Sequence, residues 1–162
     1  MTPSEVIRAL GLEPLNIEGG YYRETYRSTL SVPKHALPQT YSSGHSFCYL
    51  LTPDTFSHLH RLTGDELFHF YLGDPVAMLQ LFPDRSSTVL TLGQDITAGQ
   101  HLQTVVPGGV WQGMTLAGGG EWALLGTTVS PGFEFEDYRH GNRDELIAMY
   151  PDHREMITKL TG

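Results

Sequence analysis

Residues 57–75 read SHLHRLTGDELFHFYLGDP, and several of these side chains could do chemistry together. Residues two apart on an extended strand share a face. A strand over 56–62 therefore puts Phe56, His58, His60 and Leu62 on one side and Ser57, Leu59 and Arg61 on the other. The TGD that follows suits a turn. The next strand sets Glu66, Phe68 and Phe70 on one face and Leu67, His69 and Tyr71 on the other. A hairpin joining the two strands would bring His58, His60 and Glu66 together inside a barrel. Two imidazoles and a carboxylate suit a divalent transition metal such as iron, manganese, nickel or zinc. They equally suit general acid–base work. Glu66 is preferred to Asp65 as the inward acid, because Asp65 belongs to the turn and can cap it. His69 has the opposite parity and is expected outward or at a subunit contact.

The elements that must position these groups are mostly strands. YYRETYRSTL, HSFCYLLT, ELFHFYLG, VAMLQLFP, STVLTLG, HLQTVVP and EWALLGTTVSP each close on a turn-forming residue or lie beside one. Short strands at even spacing, with no helices between them, predict an all-β antiparallel sandwich or barrel. FEFEDY alternates Phe133 and Phe135 with Glu134 and Glu136, which predicts one further strand with a buried face and solvated carboxylates. The ends are helical. Thr2-Pro3-Ser4-Glu5 is a capping box with Pro at the first helical position, and Gly11 is a natural stop. Near 143–160 two apolar turns flank Pro151, which predicts two short helices with a break between them.

His58-x-His60, Glu66 and Gly73 resemble the first motif of the cupin superfamily. Pro107 and Gly109 resemble the second, with Gln112 where that motif has a histidine and Leu116 where it has Asn. Thr52 stands where the first motif usually has Gly. More specifically, GGYYRETYRS, SHLHRLTGDELFHFYLGDP, VVPGGVWQG and VSPGFEFEDYRHG resemble, in order and spacing, the blocks of the Cupin-5 group of RmlC-like cupins. The resemblance runs from about Gly19 to the end. It implies an antiparallel double-stranded β-helix, the cupin jelly-roll barrel, and a pocket of His58, His60, Glu66 and Gln112. The same four residues are the candidate ligands for one divalent transition metal, iron, manganese, nickel or zinc, with no cofactor as the alternative, since Gln112 is a weaker ligand than a third imidazole. A homodimer assembled through edge strands, with residues 21–30 in the contact, is a further implication.

The RmlC-like cupins include epimerases and isomerases, so the resemblance implies proton transfer beside a carbonyl. His58 or His60 would be the base, oriented by Glu66, and Tyr49 the acid. A small polar ligand, such as a sugar or sugar nucleotide, fits this reading. The alternative is a ligand-binding or sensor cupin without metal or catalysis. Arg23 and Arg27 share a strand face, opposite Tyr22, Glu24 and Tyr26, and are candidates to hold a phosphate. Trp111 and Trp122 would fill the barrel or close its mouth, where an aromatic ring can stack on a ligand. His35, His45, His101, His140 and His153 show no partner pattern and are read as surface or structural.

Composition agrees with one soluble domain over residues 1–162. A formal charge of −8 argues against a nucleic-acid partner, which requires phosphates to be neutralised. The single cysteine, Cys48, permits no internal disulfide and reads as a buried strand thiol in a reducing compartment. No apolar run approaches the ~20 residues that span a bilayer, and no signal-peptide pattern opens the chain. The expected location is the cytoplasm.

Overall fold

The computed structural model describes residues 1–33 and 40–162; His35 lies outside them. The chain opens with α1 (Pro3–Leu10), followed by β1 (Glu13–Pro14), β2 (Tyr21–Arg27), β3 (Ser31–Pro33) and β4 (Thr40–Ser42). The barrel strands follow: β5 (His45–Leu51), β6 (Ser57–Arg61), β7 (Asp65–Gly73), β8 (Val76–Leu81) and β9 (Ser87–Leu92). After these come β10 (Gln103–Val106), β11 (Trp111–Leu116), β12 (Ala123–Ser130) and β13 (Arg139–His140). α2 (Arg143–Met149) and α3 (Arg154–Lys159) close the chain. Pro151 separates these helices by starting a 3-10 turn, as its missing N–H and fixed φ require. The capping box forms: Glu5 N–H donates to Thr2 Oγ1 at 3.3 Å, and Thr2 N–H to Glu5 Oε2 at 2.7 Å.

Two antiparallel sheets face each other, in the orders β1-β2-β5-β12-β7-β10 and β13-β6-β11-β8-β9. Leu51, Phe68, Met78, Met114 and Leu125 pack between them. The outer face of the second sheet is covered by the C-terminal helices. There Leu59, Leu79 and Leu81 meet Leu146, Ile157 and Leu160, all essentially buried. Each such side chain contributes roughly 1.5–3 kcal/mol on burial, so α2 and α3 fix the strand that carries His60. On the first sheet, Val6 of α1 and Leu12 just after it cover Leu50 and Leu124. Among the described residues, no helix is long and apolar enough to cross a membrane.

Three local expectations are corrected. β6 and β7 do not form a hairpin. They lie in different sheets, so the turn over residues 62–64 is an arch from one sheet to the other. Asp65 supports that arch by accepting Gly108 N–H at 2.8 Å. FEFEDY is not a strand: Phe135–Asp137 is a 3-10 turn. β12 is paired on both sides, by β5 and β7, so the chain leaves that sheet after Ser130 and crosses to the edge of β6. Cys48 is half-buried and packs toward α1 on the outer face, and is not a fully buried thiol.

Candidate functional site

The floor of the barrel is set by a β-bulge. β11 pairs with β6 so that Gln112 faces His60, but Met114 faces Ser57. β6 thus spends three residues where β11 spends two, and the extra residue reverses the side-chain alternation. His60 and Ser57 point inward, while His58 does not. The His60 ring is 1% exposed and Gln112 is equally buried. Gln112 Nε2 donates to Glu66 Oε2 at 2.6 Å and lies 3.5 Å from His60 Nε2. His60 Nδ1 sits 2.7 Å from the His58 carbonyl, which only accepts. That contact fixes the Nδ1–H tautomer and leaves Nε2 as the acceptor for Gln112 Nε2 at 3.5 Å.

Glu18, which the sequence reading did not single out, completes this group. Its Oε2 lies 3.8 Å from His60 Nε2, and its Oε1 accepts from Ser57 Oγ at 2.7 Å. Gly19 makes the placement feasible. It sits at φ +98°, and a Cβ there would collide with the Phe56 carbonyl oxygen. The chain is thereby laid against β6, with His58 N–H donating to the Glu18 carbonyl at 2.7 Å. The Glu-Gly-Gly run was the available signal: an acid beside two residues that tolerate positive φ. Tyr49 is also in the pocket, its hydroxyl donating to Gly19 O at 2.8 Å. Tyr138 stacks on His60 at 4.9 Å between ring centroids.

Glu18, Glu66 and Tyr49 line a pocket enclosing about 510 Å³, its open mouth included, with His60 and Gln112 buried against the two carboxyls. Tyr22, Phe47, Phe133 and Phe135 form its aromatic wall, with Glu18, Glu66, Tyr49 and Thr127 among the polar lining. Burial pushes the Glu18 carboxyl up to about 7. Burial, and then the neighbouring Glu18 charge, push Glu66 up to about 7 as well. Burial lowers His60 and holds Tyr49 far above the ordinary phenol range. Two buried carboxyls whose ionisation is opposed, beside a neutral imidazole, can hold and exchange a proton near neutral pH.

The remaining expected site residues lie elsewhere. The His58 ring stacks on His140 at 3.4 Å between centroids, and its Nδ1 lies 3.0 Å from the Leu59 carbonyl. Trp111 has the opposite parity from Gln112. It packs against the C-terminal helices with the Arg61 guanidinium 4.7 Å over its ring. Trp122 packs with α1 and donates to Met1 O at 3.0 Å. Arg23 and Arg27 do not share a face, because β2 carries a second bulge between Glu24 and Tyr26. Arg27 turns to Glu24 at 2.9 Å and Glu134 at 3.3 Å. Both arginines line an outer groove beside the pocket mouth and do not line the pocket itself. His69 lies outward as expected, half-buried, with Nε2 3.4 Å from Thr128 Oγ1. His45 is fully buried, His101 is exposed, and His153 Nε2 lies 2.7 Å from Ser87 Oγ.

The donor set does not suit a tightly held transition metal. His58 is turned away, Gln112 presents its Nε2 to Glu66, and a protonated amide nitrogen is not a ligand. Among the described residues, no group of three or more His, Cys, Asp or Glu side chains could hold a metal ion.

Two antiparallel sheets closing on a buried polar floor define a cupin barrel. The family model for the cupin superfamily group Cupin_5 (DUF985) matches residues 4–141, and the chain belongs to that family. Uncharacterized protein YML079W of Saccharomyces cerevisiae is 32% identical over 136 residues, covering 75% of this chain and 66% of the yeast protein, just under two thirds of its length. A solved structure of a hypothetical protein from Leishmania major superposes with TM-score 0.90 at 30% identity, covering 99% of this chain and 98% of that one. Oxalate decarboxylase of Bacillus subtilis, with Mn(II) centers, superposes with TM-score 0.53 at 17% identity over 88% of this chain and 36% of its own. That likeness shows the fold alone.

Proposed function

We propose that the pocket binds one small polar organic molecule, a sugar or the sugar end of a sugar nucleotide, and moves a proton on it in an isomerase or epimerase reaction. The observation that carries this reading is that Glu18 and Glu66 line one cavity, with the buried His60 Nε2 3.8 Å from Glu18 Oε2. His60 takes the proton, with its tautomer held by the His58 carbonyl. Glu18, in its protonated form, returns one. Gln112 positions Glu66 through the 2.6 Å hydrogen bond. Groups poised near the working pH are the efficient ones for this work, and the aromatic wall suits the flat face of a sugar ring. Among the described residues no Lys or Arg lines the pocket. The phosphates of a sugar nucleotide would therefore lie outside it, beside Arg23.

The test is solvent exchange. Aldoses, ketoses and keto-sugar nucleotides are incubated with the protein in D2O, and deuterium at the carbon beside the carbonyl is followed by NMR. Exchange is expected for one class, and His60→Gln should slow it by ~10²–10⁴-fold. Absence of exchange across the panel, with one compound still raising the melting temperature, would favour the second reading, a non-catalytic binding cupin. Glutamine at 112, already committed to Glu66, is the observation on that side.

A further inference from the structure

The hydrogen-bonding polarity of the pocket floor is one-sided. Its donors are spent inside the protein: Ser57 Oγ on Glu18 (2.7 Å), Tyr49 on Gly19 O (2.8 Å), His60 Nδ1 on His58 O (2.7 Å) and Gln112 Nε2 on Glu66 (2.6 Å). What remains is acceptors. Gln112 Oε1 is buried and, among the described residues, makes no hydrogen bond. His60 Nε2 accepts from Gln112 Nε2 at 3.5 Å behind the pocket, and the carboxyls of Glu18 and Glu66 line the cavity itself. No guanidinium or ammonium reaches them from within the described residues lining the pocket.

Above this floor stand four aromatic rings in mutual contact. Tyr22 and Phe47 are 6.3 Å apart, Phe47 and Phe133 6.3 Å, and Phe133 and Phe135 5.0 Å between centroids. An aromatic sleeve attracts a cation through the ring quadrupoles, more strongly when water is excluded. Buried acids without a counter-charge are costly unless protonated or paired. Carboxyls without a cationic partner in the pocket lining and an aromatic sleeve are both complemented by one kind of group, a cation that carries N–H donors.

We propose that the ligand of this pocket carries a protonated amine, which enters between Tyr22, Phe47, Phe133 and Phe135 and docks on the carboxyls of Glu18 and Glu66. The inference rests on the pocket being the binding site and deepens the reading above by naming the ligand class; it does not depend on catalysis. An amine-bearing ligand supplies the counter-charge that this chain withholds.

Matched pairs test this: ethanolamine against ethylene glycol, and glucosamine against glucose, with inorganic phosphate and manganese chloride alongside, followed by calorimetry and thermal shift. The amine of a pair should bind roughly tenfold or more tightly than its hydroxyl counterpart. The Glu18→Gln/Glu66→Gln variant, checked for an unchanged fold by circular dichroism, should lose that preference. Equal or tighter binding of the hydroxyl compound, of phosphate or of manganese overturns the proposal, as does binding of none of them. Neutral sugars that bind and exchange deuterium would remove the amine and keep the proton-transfer reading. Amines that bind without exchange in any substrate would do the reverse.

Discussion

Replacing Glu66 by Gln keeps the shape of the side chain and removes its charge, and the structure dictates how the effect depends on pH. Glu66 titrates at about 7 in the fold against 4.5 when unfolded, because burial and then Glu18 oppose its ionisation. Its folded-state pKa is raised. Between those two values the folded protein holds a proton that the unfolded chain has released, so the wild type loses stability as pH rises through this window. Each pKa unit corresponds to ~1.4 kcal/mol, which puts the loss on the order of 3 kcal/mol once the pH exceeds 7. Glu66→Gln has no such loss. It should match the wild type within about 1 kcal/mol at pH 5 and exceed it by ~2–3 kcal/mol at pH 8. For a chain of this size that is roughly 4–12 °C in melting temperature. Urea or thermal unfolding of both proteins from pH 4.5 to 8.5 measures it. A difference that does not change with pH, or that favours the wild type at pH 8, would refute the reasoning about burial.

Elemental analysis of the purified protein should find well under one transition-metal ion per chain, and a chelator should leave the melting temperature unchanged; near one ion per chain, lost in His60→Ala, would contradict the donor geometry. We propose that β2 forms a homodimer contact, since β1 pairs only with Tyr21 and Tyr22 and leaves Arg23–Arg27 open on that edge among the described residues. Light scattering should show a dimer that Tyr26→Pro dissociates, and a monomeric wild type would remove that proposal. Leu59→Ala should cost ~2–5 kcal/mol in chemical denaturation, because it empties the contact between β6 and the C-terminal helices.

Period-2 alternation was enough to read most strands, and it placed Glu66 and His60 correctly because Phe68 shares the face of Glu66 between the sheets while Leu59 takes the face opposite His60 against the C-terminal helices. It failed for His58 and for Arg27 for one shared reason. Each lies at or beyond a bulge, and an extra residue in a strand flips every side chain after it. No composition rule marks those bulges here: the extra residues lie in an ordinary S-H-L-H and an ordinary E-T-Y. Glu18 was hidden differently. It sits in an irregular segment where periodicity says nothing, and only the two glycines after it indicated a special backbone path. FEFEDY read as a strand because its pattern is correct for one, but both neighbouring edges of β12 are already occupied. The arch between β6 and β7 looked like a hairpin because a short polar turn does not reveal which sheet receives the next strand.

The central claim is that two carboxyls and one imidazole share protons at the base of the barrel near neutral pH. Carbon-13 NMR titration of the side-chain carboxyls, assigned with Glu18→Gln and Glu66→Gln, measures it directly. The account predicts that both carboxyls of the wild type titrate close to pH 7 and that removing either one lowers the other. Titration of both near 4.5, each indifferent to the loss of its neighbour, would contradict it.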